Sequence, residues 1–277
     1  MMKRSKASRI SMMAAASLLA LMLAGCGETL TGAAGGVEAK VMGEGSGSGE
    51  LVTVGKESFP SGQFKSVSVT AEAMVIEVSR GSGDEAEVEL IVDKGITKDI
   101  SMEASVQADV LEVKVDERSS NLLGKDKVFG ERKLKLSLPD KLYEELSIRN
   151  KIGQIIATDV QSGSLLIDVD VGEINLQNVS ADMELTSRMG EISVENADFP
   201  KKLNASAEVG SIRIGLKEEP DNAELDLRSE LGQADTSLRN VDYEVKTGSE
   251  KVGKIGNGDK QLHASVKVGD IKVDAPR

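Results

Sequence analysis

The sequence predicts an all-β protein, a single elongated β-solenoid or parallel β-helix-like stack of glycine-cornered rungs of about twenty residues. Three observations predict it. Apolar and polar residues alternate over most of the chain from Phe64 onward, and no helical periodicity is sustained beyond the N-terminal segment. A glycine-centred phrase recurs at Gly153, Gly172, Gly190, Gly210, Gly232 and Gly269, with the first five glycines 18 to 22 positions apart. The apolar parity slips by one residue across each of these glycines. Composition agrees, because aromatic residues make up 2 %, Trp is absent and Gly reaches 28. A core without large rings must be narrow and layered, filled by Val, Ile, Leu, Ala and Met.

The chain opens with Lys3, Arg4, Lys6 and Arg9 and no acidic residue, followed by an apolar run from Ile10 to Leu23. That pattern is a secretory signal peptide, residues 1–25, too short for a comfortable membrane span. The run ends in Leu23, Ala24, Gly25 and Cys26, and Cys26 is the single cysteine of the chain. This quartet resembles the lipobox of bacterial lipoproteins. The resemblance implies that the Cys26 thiol receives diacylglycerol and that the mature chain begins there, lipid-anchored on the extracytoplasmic side of the membrane. An ordinary signal peptide is the plainer alternative. A catalytic thiol is weaker still, since the lone His263 lies in a distant segment. One cysteine also excludes an internal disulfide framework.

Removing the signal takes four positive charges from a chain of net charge −12 and leaves −16. An exported chain this acidic does not bind nucleic acid by phosphate neutralisation, and its carboxylates repel an anionic bilayer. Membrane affinity is therefore assigned to acyl chains on Cys26, at about 0.8 kcal/mol per buried methylene. Residues 26–61 are rich in Gly, Ser and Glu and read as a flexible stalk, with a short extended piece at Leu51 to Val54.

The β-solenoid domain is expected over residues 62–277. Val67 and Val69, Val88 to Val92, Leu111 to Val115 and Leu134 to Leu138 read as half-buried strands, punctuated by Gly81 to Gly83, Gly95 and Pro139-Asp140. The rungs follow. Counted back from the glycine, positions seven, five, three and one are expected to face inward, for example Leu165, Ile167, Val169 and Val171. Positions two and four after it, such as Ile174 and Leu176, return to the same interior. On this reading Val171, Met189, Val209, Leu231 and Val268 are all inward, and the bend lies at the glycine, where a positive φ is available. Between Leu231 and Val268 the register is open, because Gly248, Gly253, Gly256 and Gly258 compete for a corner.

The "GEI", "GSI" and "GDI" phrases, with "LKLSLPDKLYEELSIRNKIGQI" from Leu134 to Ile155, resemble the bacterial putative-adhesin domains also called toastrack-like. The resemblance covers Phe64 to Val273. It implies a β-solenoid-like stack in the cell envelope, adhesin-like or accessory to envelope-stress systems, and it supplies no catalytic residue, metal or cofactor.

Individual residues are read against their plainest explanation. Asp168, Asp170 and Glu173 invite a carboxylate pair or a calcium site, yet Asp168 and Asp170 alternate with inward residues and belong on a solvated outer face. His263 falls between inward Leu262 and Ala264 and should point outward. Arg149, Arg188, Arg213, Arg228 and Arg239 are spread over the rungs without aromatic companions, so no polysaccharide groove is expected. The function expected is non-enzymatic: an anchored stack displayed to an envelope protein or polymer. A polysaccharide-active β-helix enzyme is the alternative, and a transporter's solute receptor is a distant third, because the helices of its two lobes are missing.

Overall fold

The structure is a computed structural model in which residues 49–117 and 130–276 are described. The signal peptide, Cys26 and the stalk up to residue 48 lie outside the described residues. Apart from short 3-10 turns at Ser61–Gln63 and Lys94–Ile96, the regular structure is strand throughout, joined in one sheet. The alternation in the sequence therefore reports strands, as expected. No helix among the described residues is long and apolar enough to cross a membrane.

The first strands build a cap. They are β1 (Leu51–Pro60), β2 (Ser66–Arg80), β3 (Glu85–Asp93), β4 (Ile100–Gln107), β5 (Val110–Glu117) and β6 (Arg132–Leu138). The first described strand, Leu51–Pro60, lies ahead of the domain boundary expected at residue 62. β1 pairs antiparallel with β3, Val52 opposite Val92 and Phe59 opposite Ala86. It looked like stalk because it is an edge strand with mostly exposed residues, so it lacks a buried face to give its sequence a period. One edge of β2 is shared between two short arms. β5 takes the first half, with β4 beyond it, and β6 takes the second, with β3 and β1 beyond.

The other edge of β2 starts the stack. β7 (Tyr143–Thr158), β8 (Gln161–Gln177), β9 (Ser180–Ala197) and β10 (Lys202–Leu216) run parallel and in register. Each is a bent strand carrying one corner glycine. Residues before and after the corner bury their alternate side chains, and Leu165, Met183 and Leu203 form one inner column while Ile155, Ile174, Ile192 and Ile212 form another. At the return between rungs, Asp159, Asn178 and Asn196 hold φ of 57, 54 and 55°. Asn178 Nδ2 donates to Asp159 Oδ1 at 2.9 Å and the Asn196 amide donates to Asn178 Oδ1, so this second corner carries its own polar ladder. Asn and Asp tolerate the left-handed region better than other side-chain-bearing residues.

The remaining strands are β11 (Ala223–Leu231), β12 (Ala234–Thr236), β13 (Asp242–Lys246), β14 (Glu250–Ile255), β15 (Lys260–Val268) and β16 (Ile271–Asp274). Here the stack leaves chain order. β15 and β16, the rung of Gly269, pair with β10 on one side and with β11 and β12, the rung of Gly232, on the other. The last rung in sequence is therefore the next-to-last in space. The outer edge of β11 is occupied by the antiparallel hairpin of β14 and β13, so the returning chain finds its open edge only beside β10. Leu262 packs in register with both Leu203 and Leu225. Gly248 is no corner at all, but lies in the hairpin turn where Thr247 Oγ1 accepts from the Glu250 amide.

Candidate functional site

The corner glycines Gly153, Gly172, Gly190, Gly210, Gly269 and Gly232 stack in that spatial order on Met74 of β2. Their φ values run from 131 to 154°. A Cβ on Gly190 would lie 1.8 Å from the Gly172 carbonyl oxygen, and one on Gly210 1.6 Å from that of Gly190. The rungs approach so closely at the corner that no side chain fits. Three positions before the glycine, polar side chains reach the neighbouring rung's corner carbonyl. Asn150 Nδ2 donates to Met74 O at 2.8 Å and Ser229 Oγ donates to Gly269 O at 2.7 Å. These bonds give two of the corner carbonyls a buried side-chain donor.

Position minus three is inward on every rung, with Val169, Ser187, Ala207, Val266 and Ser229 buried. Position minus one is not. Val171 is 38 % exposed, Met189 49 %, Val209 47 %, Val268 43 % and Leu231 69 %, which overturns the inward placement expected for all five. The bend begins two residues before the glycine, so positions minus two and minus one both turn to solvent. Between inward minus three and inward plus two lie five steps, an odd number, and the parity slip follows wherever in that stretch the turn is made. A stability measurement separates the two placements. Met189→Ala should cost under about 1 kcal/mol, while Ile192→Ala, fully buried, should cost about 2 to 5 kcal/mol in urea unfolding.

Position minus two carries a charge on every rung. In stack order the column reads Glu72, Lys151, Asp170, Arg188, Glu208, Lys267 and Glu230, an unbroken alternation of sign. In chain order the alternation fails, because Glu208 and Glu230 are then consecutive. Lys151 pairs with Glu72, Arg188 with Asp170 at 2.5 Å and Lys267 with Glu208 at 3.1 Å. The hydrogen bond from Lys151 to Glu72, reinforced by the charges of Glu72 and Asp170, holds the Lys151 ammonium above its ordinary pKa. Each exposed pair contributes about 0 to 1 kcal/mol, so the column matters more for register than for stability.

The residues singled out from sequence can now be placed. Asp168 is exposed and Asp170 half-buried on the outer face, as expected, and Glu173 accepts from Gln154 Nε2 at 3.0 Å one step beyond the glycine. His263 is also outward, with Nδ1 3.5 Å from Asp226 Oδ2. The expectation that outward charges are not concentrated does not hold. Asp168, Asp170, Arg188, Glu208, Arg228 and Lys267 border one open, shallow depression whose floor includes Ser187, Ala207 and Ser229. The corner stripe and its charge column were missed in the sequence. Reading the sign of position minus two along the chain finds the alternation from Lys151 to Glu208, and the placement of Lys267 between Glu208 and Glu230 comes from the strand order.

A family model described as Toastrack DUF4097 matches residues 47–274, a span that includes β1. Among solved structures, a putative cell adhesion protein from Clostridium sporogenes aligns at 10 % identity and TM-score 0.46, over 80 % of this chain and 99 % of that one. A putative adhesin from Bacteroides fragilis aligns at 13 % and 0.41, over 81 % and 97 %. A putative lipid binding protein from Parabacteroides distasonis aligns at 10 % and 0.30, over 83 % and 98 %. No curated protein matches the chain.

Proposed function

Because the chain belongs to the Toastrack DUF4097 family, we propose that it is an exported, non-enzymatic envelope protein, held to the membrane by diacylglycerol on Cys26, that displays its stack to a protein or envelope polymer. The observation that supports this reading is the order of the outward side chains. They form columns fixed at the strand spacing, and six charges of the corner, from Glu72 to Lys267, are paired with a neighbour along the column. A surface so arranged is suited to recognition over several rungs. A hydrolytic site would instead bring an acid and a base to bear on one bond, as paired carboxylates do across a cleft.

The test is affinity capture of the full chain from its native envelope, with Cys26→Ala as control. The processed protein should carry a lipid-modified N-terminus at Cys26 and stay with the membrane, and Cys26→Ala should be released and lose the partner. Turnover of cell-wall or acidic glycans by the purified protein, abolished by Asp168→Asn or Asp170→Asn, would replace display with catalysis.

A further inference from the structure

The corner presents two adjacent columns, and no other described residue packs over the exposed members of the first. One is the apolar stripe Ile152, Val171, Met189, Val209, Val268 and Leu231, in which Ile152 is half-buried and the other five are exposed. The other is the alternating column from Glu72 to Glu230. Their combination restricts what can pack there. A polymer of one charge meets repulsion at every second rung, and an apolar surface takes water from the charge column and returns no hydrogen bond. A surface carrying the same two columns satisfies both.

We propose that this corner is the contact face of a homodimer in which two copies pack with their stacks antiparallel. A two-fold axis along the strand direction, between β9 and β10, reverses the stack and lays each column on its own counterpart. Arg188 then faces Glu208 of the second copy, Asp170 faces Lys267 and Lys151 faces Glu230. In the same operation Met189 meets Val209, Val171 meets Val268 and Ile152 meets Leu231. Every exposed residue of the stripe is covered, and each charge opposition is attractive. An axis along the stack would instead put every rung on its own copy, where the charge column meets either its own signs or the apolar stripe. The alternation of sign therefore selects the antiparallel arrangement.

The face is small. The six opposed rungs at about 4.8 Å and five residues at about 3.3 Å give roughly 29 by 17 Å, or about 1,000 Å² over both copies. That is the lower end for a specific interface, so the dimer is weak, with a dissociation constant on the order of micromolar or above. This inference goes beyond the display reading and stands independently of the partner sought there.

The experiment uses the full chain as Cys26→Ala, free of lipid, in analytical ultracentrifugation from about 1 µM to 1 mM. A concentration-dependent dimer is expected. Arg188→Glu should weaken it at least about tenfold, and the exchange Arg188→Glu with Glu208→Arg should restore it. That exchange rebuilds the pair across the axis while breaking both Arg188–Asp170 and Lys267–Glu208 within each copy, so a merely intramolecular role would give no rescue. A mixture of Val171→Cys and Val268→Cys chains should form a disulfide between copies that neither gives alone. A monomer at every concentration overturns the proposal. So does a dimer indifferent to both charge variants, or a monomer that floats with phosphatidylglycerol vesicles through Met189, which would assign the stripe to a lipid surface.

Discussion

Gly190→Ala should cost at least about 3 kcal/mol, a large fraction of the 5 to 15 kcal/mol that holds a domain folded. The new methyl would sit 1.8 Å from the Gly172 carbonyl oxygen and 2.7 Å from its carbon, on a residue with φ of 146°. The backbone strain alone is about 1 to 3 kcal/mol. The clash cannot be relieved by a rotamer, because the obstacle is main chain of the next rung, tied on both sides of the corner by the β8–β9 ladder. Opening that gap disturbs Gly210 as well, whose own carbonyl neighbour is Gly190. Urea unfolding of Gly190→Ala beside Gly83→Ala and Gly248→Ala checks this. An added Cβ at either control meets nothing within 4 Å, and neither has a positive φ, so both should be near neutral. A small effect at Gly190 would mean that the rungs are not in contact at the corner.

Ending the chain after Asp259 should strip hydrogen-exchange protection from residues 223–255 while leaving β2 to β9 protected. In a stack laid down in chain order, losing the last rung would expose only the end. Here β15 is the parallel partner of β11 along Ala223–Leu231, and β16 is the partner of β12. Their loss removes buried Leu262, Ala264, Val266, Ile271 and Val273 and uncovers Leu203, Leu225 and Leu227 on either side. Burial worth about 5 to 10 kcal/mol disappears, and β11, β13 and β14 remain as an antiparallel group without a second layer. Hydrogen exchange read by mass spectrometry distinguishes the cases. Protection retained in β11 would show that this strand finds its place directly on β10.

The second prediction marks where sequence reasoning stops. Leu262, Ala264, Ile271 and Val273 are recognisable as a rung because their apolar period matches that of every other rung. For the same reason the period cannot say which rungs they lie between. Any rung fits any neighbour as far as the inner columns are concerned. What places β15 is the occupied outer edge of β11 and the sign of Lys267 between Glu208 and Glu230, and both are relations between strands distant in the chain.

Within a rung, alternation reports a buried face only while the strand stays extended. Leu165, Ile167 and Val169 were assigned correctly, and so were Ile174 and Leu176, because each lies on a straight arm. Val171 was not, since it sits inside the bend, and a parity slip counts residues through a turn without locating the turn. β1 reads in the sequence only as a short extended piece at Leu51 to Val54 for the complementary reason: an exposed edge has no inner face to alternate. The Asp159, Asn178 and Asn196 ladder left no apolar signal either, being made wholly of polar groups at a return.

The sequence by itself determined the all-β class, the rung length, the six corner glycines and the inner columns of both arms. These are local properties, set by side-chain alternation and by the one residue that lacks a Cβ. The tertiary structure alone decided that the C-terminal rung is inserted, that the residue before each glycine is exposed, and that charges scattered over 196 positions from Glu72 to Lys267 form one column of alternating sign. Each of these depends on which edge is free when a strand arrives and on where a chain turns within five residues, and neither is written in the period of any single strand.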